Sequence, residues 1–125
     1  MRLTVLTLLA PLALTLLCGC GARSAPPAAL TAAEVEALRP ADTRLAAAYE
    51  RSCLLCHGRP GSGAPATGDT AAWAPRLAKG LDGLLASARD GLGGMPAMGL
   101  CADCSEAELR QLILFMSAAP AANKP

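Results

Sequence analysis

The sequence predicts an all-α domain of short helices, and three observations carry that prediction. Apolar residues recur at intervals of three and four in several separate segments. Two of those segments open with a Ser or Thr followed three residues later by Glu, the pattern of a capping box. No stretch alternates apolar and polar residues as a half-buried strand would. At 125 residues the chain has room for one compact domain and excludes a two-domain enzyme.

The elements follow in order. Arg2 precedes an apolar run over residues 3–17, broken only by Thr4, Thr7, Pro11 and Thr15, which reads as the charged and hydrophobic regions of a secretory signal and is short for a membrane-spanning helix. Leu17-Cys18-Gly19-Cys20 then resembles a bacterial lipobox. The small Gly19 qualifies Cys20 as the lipid-bearing cysteine, whereas Leu17 in front of Cys18 is too bulky; ordinary cleavage near Ala22 or Ala25 is the alternative. Residues 21–30 are rich in Ala and Pro with no periodic face and read as a tether.

Thr31 and Glu34 form a possible capping box for a short helix carrying Val35 and Leu38, ended by Pro40. Asp42 is a plausible N-cap for a helix whose face holds Leu45, Ala48, Tyr49 and Ser52. Residues 58–69 contain four glycines and two prolines, so the chain leaves helix there and wraps as a loop. Leu81, Leu84, Leu85 and Ala88 mark another helix, ended by Gly91, Gly93 and Gly94. Ser105 and Glu108 cap the last, where Leu109, Leu112, Ile113 and Met116 follow at helical spacing until Pro120. The first of the long helices is expected to cross the last, with Leu45 and Tyr49 meeting Leu112, Ile113 or Phe115.

Composition points to a missing component of the core. The chain is 53% hydrophobic but has one Trp, one Tyr and one Phe, so it lacks the large rings that small domains usually bury. A disulfide, metal or cofactor often makes up such a shortfall. Formal net charge is +1 with no polybasic patch, which argues against nucleic acid as a partner.

Cys53-Leu54-Leu55-Cys56-His57 is a C-x-x-C-H sequence, whose mechanical meaning is covalent attachment of a c-type haem. Two thiols one turn apart can add to both vinyl groups of one porphyrin, and the next histidine can reach the iron. The same C-x-x-C also occurs in redox dithiols and zinc sites. A dithiol of the thioredoxin kind needs a βαβ setting that this chain lacks, and a zinc site using Cys101 and Cys104 as well would need an unusually long gap. One haem would supply the missing apolar bulk. His57 is the only histidine, so a second axial ligand must come from another residue type. Methionine is the obvious supply. Met95 and Met98 lie in a glycine-rich loop, while Met116 belongs to the apolar face of the last helix. Pro96 restricts Met95 to extended backbone. Histidine with methionine suits electron transfer, because both iron positions stay filled in both oxidation states.

Over residues 41–118 the chain resembles the cytochrome c5 family, class I cytochromes of bacterial respiratory chains. The resemblance is carried by the attachment motif, by Gly63-Ala64-Pro65 with Gly68-Asp69, by Trp73-Ala74-Pro75-Arg76, by Gly94-Met95-Pro96 and by Cys101-Ala102-Asp103-Cys104-Ser105. It implies a cytochrome c fold with short helices around one covalent haem c, and an electron carrier rather than an enzyme. It also implies Met95 as axial ligand with Met98 as a rival, a Pro65 carbonyl that accepts a hydrogen bond from the His57 ring, Trp73 and Arg76 near the haem propionates, and a Cys101–Cys104 disulfide. The chain departs from the family in carrying Ala97 and Met98 where a second proline and a basic residue are usual.

The organisation expected is a signal peptide with lipobox over residues 1–19, a tether with a possible short helix over 20–40, a cytochrome c domain over 41–119 and a tail over 120–125. The protein is expected in the periplasm, tied to a membrane through Cys20 and exchanging electrons with redox protein partners. The rival function is a haem-based ligand sensor or peroxidase-like enzyme with a displaceable sixth ligand.

Overall fold

Thr31 opens the first helix of the computed structural model, which describes residues 29–119; the signal, Cys20 and the tail from residue 120 lie outside the described residues. The Thr31 hydroxyl accepts the Glu34 N–H at 3.3 Å and the Glu34 carboxylate accepts the Thr31 N–H at 2.8 Å, which starts α1, Ala32–Ala37. Val35 on this helix is buried. Glu36 pairs with Arg59 at 3.5 Å, and Arg39, just beyond the helix, pairs with Glu50 at 2.7 Å, so this part of the expected tether is docked on the domain.

Asp42 accepts the Leu45 N–H and starts α2, Thr43–Ser52. Its buried face of Leu45, Ala48 and Tyr49 packs with α6, Glu106–Ser117, which buries Leu109, Leu112, Ile113 and Met116. Ser105 and Glu108 form the capping box that begins α6. The Tyr49 and Phe115 rings meet edge to face with centroids 5.1 Å apart, an arrangement that contributes about 1 kcal/mol beyond area burial. An Arg44–Glu108 ion pair joins the same two helices at their surface.

Between them run three further helices. α3, Leu54–His57, is a single turn that follows α2 with only Cys53 between. α4, Thr70–Leu77, is an element the apolar periodicity does not announce. Asp69 caps it by accepting the Ala72 N–H at 3.0 Å, and Pro75 lies inside it, two residues before its end. α5, Gly80–Asp90, buries Leu84, Leu85 and Ala88 and ends at Gly91, whose φ of 86° and ψ of 156° are open essentially to glycine alone. Leu92 and Met95 then exchange backbone hydrogen bonds of 3.0 Å around Gly93 and Gly94, and a 3₁₀ turn, Ala97–Leu100, leads toward α6. That Leu92–Met95 pair is an isolated bridge; among the described residues there is no β-strand, and the domain is all-α.

Candidate cofactor site

The helices surround a cavity of about 420 Å³. Cys53 and Cys56 reach it from the junction of α2 and α3, Trp73 and Arg76 from α4, Leu84 and Ala88 from α5, Met95 from the turn after α5, and Ile113 and Met116 from α6. The aromatic shortage noted in the sequence thus has a spatial counterpart: the apolar side chains form a wall around a space that they do not fill.

The attachment motif is held as a turn. The His57 and Cys56 N–H groups both donate to the Cys53 carbonyl, at 2.8 and 3.2 Å, which brings the two cysteines to one side of the backbone. Neither is in a disulfide; Cys53 is buried and Cys56 exposed. Burial pushes the Cys53 thiol up to about 11, well away from the low-pKa setting of a redox-active dithiol.

His57 is 6% exposed and lines the cavity. Burial holds its imidazolium below the usual range, so the ring is neutral near pH 7, and its Nδ1–H donates to the Pro65 carbonyl at 2.8 Å. That bond fixes the tautomer and leaves Nε2 as the ring atom with a free lone pair. Trp73 stacks on the ring with centroids 5.8 Å apart and planes 25° from parallel.

Of the loop methionines, Met95 lines the cavity and Met98 does not; both pack against the buried core. Gly99 makes room for Met95, because a Cβ there would stand 3.2 Å from the Met95 methyl. Met98 and Leu100 take φ of 58° and 66°, unusual for residues with side chains, and in this bend Met98 is left out of the cavity lining while Gly99 and Leu100 remain in it. Met116 joins the core and the cavity wall together.

Trp73 and Arg76 both line the cavity, but their polar atoms are partly committed. The Trp73 indole N–H donates to the Ala66 carbonyl at 2.8 Å and the Arg76 guanidinium donates to the Ala72 carbonyl at 2.6 Å. An indole has a single N–H, so Trp73 has none left for a propionate, whereas Arg76 keeps several.

Cys101 and Cys104 are joined in a disulfide at the entry to α6, with Arg51 of α2 donating to Asp103 at 2.7 Å and passing 3.4 Å from the Cys101 sulfur. With both sulfurs bonded to each other, the grouping of Cys101, Asp103 and Cys104 offers no thiolate, and a zinc site shared with Cys53 and Cys56 has lost half its donors.

A donor set of two free thiols, one neutral buried imidazole and one thioether around an apolar cavity fits a thioether-linked haem: the thiols for vinyl groups, the nitrogen and sulfur for iron. Comparison with known proteins agrees. Residues 40–116 match the family model described as cytochrome c oxidase, cbb3-type, subunit III. The chain is 52% identical over 69 residues to cytochrome c5 of Ectopseudomonas mendocina, covering 54% of this chain and 79% of that protein. It is 54% identical over 67 residues to cytochrome c5 of Azotobacter vinelandii, covering 52% and 81%. A chain from the crystal structure of an electron transfer complex of nitrite reductase with cytochrome c superposes with a TM-score of 0.54 at 38% identity, covering 66% of this chain and 98% of that one.

Proposed function

The chain belongs to the cytochrome c5 family, electron carriers with covalently bound haem c, and from that premise we propose that its one haem is bonded to Cys53 and Cys56 and ligated by His57 and Met95. The observation that carries the proposal is the shared cavity, which takes in both free cysteines, His57 and Met95 and leaves Met98 aside.

The bound haem supplies a one-electron Fe(II)/Fe(III) couple. The residues keep that couple in place and dry. Cys53 and Cys56 would hold the group by two carbon–sulfur bonds, each S–H adding across one vinyl double bond with the sulfur on one carbon and the hydrogen on the other, so that it could not dissociate. His57 offers Nε2, its donor strength raised by the hydrogen bond from Nδ1 to Pro65. Met95 offers a soft thioether, which favours the reduced state and raises the potential. Leu84, Ala88, Ile113 and Met116 exclude water from the faces of the site. Arg76 is the side chain suited to offset propionate charge. No bond is made or broken in carriage, so the fold's contribution is a site that changes little between oxidation states.

Beyond the domain over residues 41–119, residues 1–19 act as a signal with lipobox, Cys20 carries lipid, the tether of residues 20–40 ends in a short helix docked on the domain, and residues 120–125 form a tail. The carrier works in the periplasm and exchanges electrons with redox protein partners. The structural relative described as an electron transfer complex with nitrite reductase supports a protein surface as donor or acceptor. Lipidation predicts that Cys20→Ser releases the protein from the membrane fraction and removes acyl mass from its N-terminal peptide; unchanged mass would overturn it.

Absorption spectra of the native protein beside Met95→Ala and Met98→Ala test the ligation. The sulfur-to-iron signature is expected to disappear in the Met95 variant and persist in the Met98 variant; the reverse result assigns the ligand to Met98. Haem that stays with the chain on a denaturing gel, and leaves it in Cys53→Ser/Cys56→Ser, tests the attachment.

A further inference from the structure

Three consecutive residues of the loop between α3 and α4 are each fastened by a different group. The Pro65 carbonyl accepts the His57 Nδ1–H at 2.8 Å, and the next carbonyl, that of Ala66, accepts the Trp73 indole N–H at 2.8 Å. Thr67 donates its N–H to the His57 carbonyl at 2.7 Å and shares a 2.8 Å hydrogen bond with the Tyr49 hydroxyl.

The direction of the Pro65 carbonyl depends on few torsions. The proline ring fixes its own φ, and the peptide plane that carries this carbonyl can swing only about ψ of Pro65 and φ of Ala66. The Ala66 carbonyl belongs to the peptide plane that follows, and holding it, as the Trp73 indole and the Asp69 N–H at 3.1 Å do, fixes one end of the axis about which that swing occurs. Trp73 does so from a site 4% exposed and lies against the His57 ring, so one side chain limits both partners of the histidine hydrogen bond.

We infer that Trp73 is a positioning residue for His57: by holding the Ala66 carbonyl and stacking on the imidazole, it keeps the Pro65 carbonyl aimed at Nδ1 and sets how strongly the ring donates to the iron. The role is distinct from the place near the haem propionates that the family resemblance implies for Trp73, and it rests on His57 as an iron ligand.

Trp73→Phe in the haem-loaded protein is the test, since phenylalanine keeps a ring against His57, removes the indole's hold on the Ala66 carbonyl and leaves only that of the Asp69 N–H. The His57 Nδ1 proton is expected to exchange with solvent roughly tenfold faster by nuclear magnetic resonance, the loss of about one ordinary hydrogen bond. The reduction potential is expected to rise, because a histidine with a weaker hydrogen bond is a poorer donor and stabilises the ferric state less. A variant that loses stability while both readouts match the parent overturns the inference. So does a shifted potential with unchanged proton exchange, which would mean that Trp73 acts on the haem directly.

Where Trp73→Phe does not accumulate as folded protein, Trp73→Tyr serves instead, since it fills more of the space and still lacks the indole N–H that the Ala66 carbonyl accepts. Both readouts should move in the same directions; no movement overturns the inference. The parent protein separates the two levels of the argument. Absence of iron-shifted imidazole signals in the parent removes His57 ligation itself, whereas their presence with unresponsive variants removes only the role of Trp73.

Discussion

Tyr49 and Thr67, both fully buried and 18 residues apart, share a hydrogen bond of 2.8 Å. Tyr49→Phe or Thr67→Val strands one buried hydroxyl, which costs about 1–3 kcal/mol. The double variant removes both groups and should cost less than the sum of the two singles. Urea unfolding of the four proteins checks this; additive costs would mean that the bond carries no coupling.

Two glycines near Met95 should respond differently to alanine. At Gly91 a Cβ would stand 3.0 Å from the Met95 carbonyl oxygen and 3.1 Å from the Ala97 nitrogen, on top of a positive φ. At Gly93 the φ is positive but the space is open. Gly93→Ala is expected to cost about 1–2 kcal/mol for backbone conformation alone. Gly91→Ala should cost more than that and should also disturb the sulfur-to-iron absorption. Equal losses, with spectra unchanged, would contradict the contact.

Acid should weaken the join between α2 and α6. Hydrogen bonding from Arg44, then from Ser105, lowers the Glu108 carboxyl to about 2 from an ordinary value of 4.5. A carboxyl depressed in the folded state contributes stability that is complete above its unfolded pKa and is lost as pH falls through the folded one. Stability should therefore decline between about pH 4.5 and 2 through this group. Glu108→Gln should flatten that part of the profile, measured by denaturant unfolding at pH 5 and pH 3; an unchanged slope would count against the pairing.

The Cys101–Cys104 bridge closes a very short loop, so its removal should be tolerated. Cys101→Ser/Cys104→Ser is expected to lower stability by about 2 kcal/mol on loop-closure grounds, with the haem retained. Thermal unfolding followed by haem absorption measures it. A loss of haem ligation at room temperature would assign the bridge a larger part in holding the Met95 turn than its loop length implies.

Helices with a repeating apolar face were legible in the sequence. Leu45, Ala48 and Tyr49 announce α2, Leu84, Leu85 and Ala88 announce α5, and Leu109 through Met116 announce α6, because each must bury one side. α4 was not, since Trp73 is its one buried residue and Pro75 interrupts it; Asp69 was the available signal. The attachment motif is a fixed local pattern and could be read directly. The separation of Met95 from Met98 could not, because it depends on positive φ at Met98 and Leu100 on either side of Gly99, and a lone glycine does not announce that its two neighbours share its conformation. Nor could the use of the Trp73 indole, whose partner is a backbone carbonyl and leaves no mark in residue type.

The fastening of residues 65–68 carries a consequence for the order of assembly. Pro65 and Thr67 bond to His57 nearby, Thr67 to Tyr49 farther back, and Gly68 donates its N–H to the Met116 carbonyl at 2.8 Å, near the end of α6. The nearby closures cost little chain entropy and the one to Met116 costs more. Haem bonded to Cys53 and Cys56 before the chain folds would need only the local motif, while the surroundings that set the histidine's electronic character are completed only when the last helix packs.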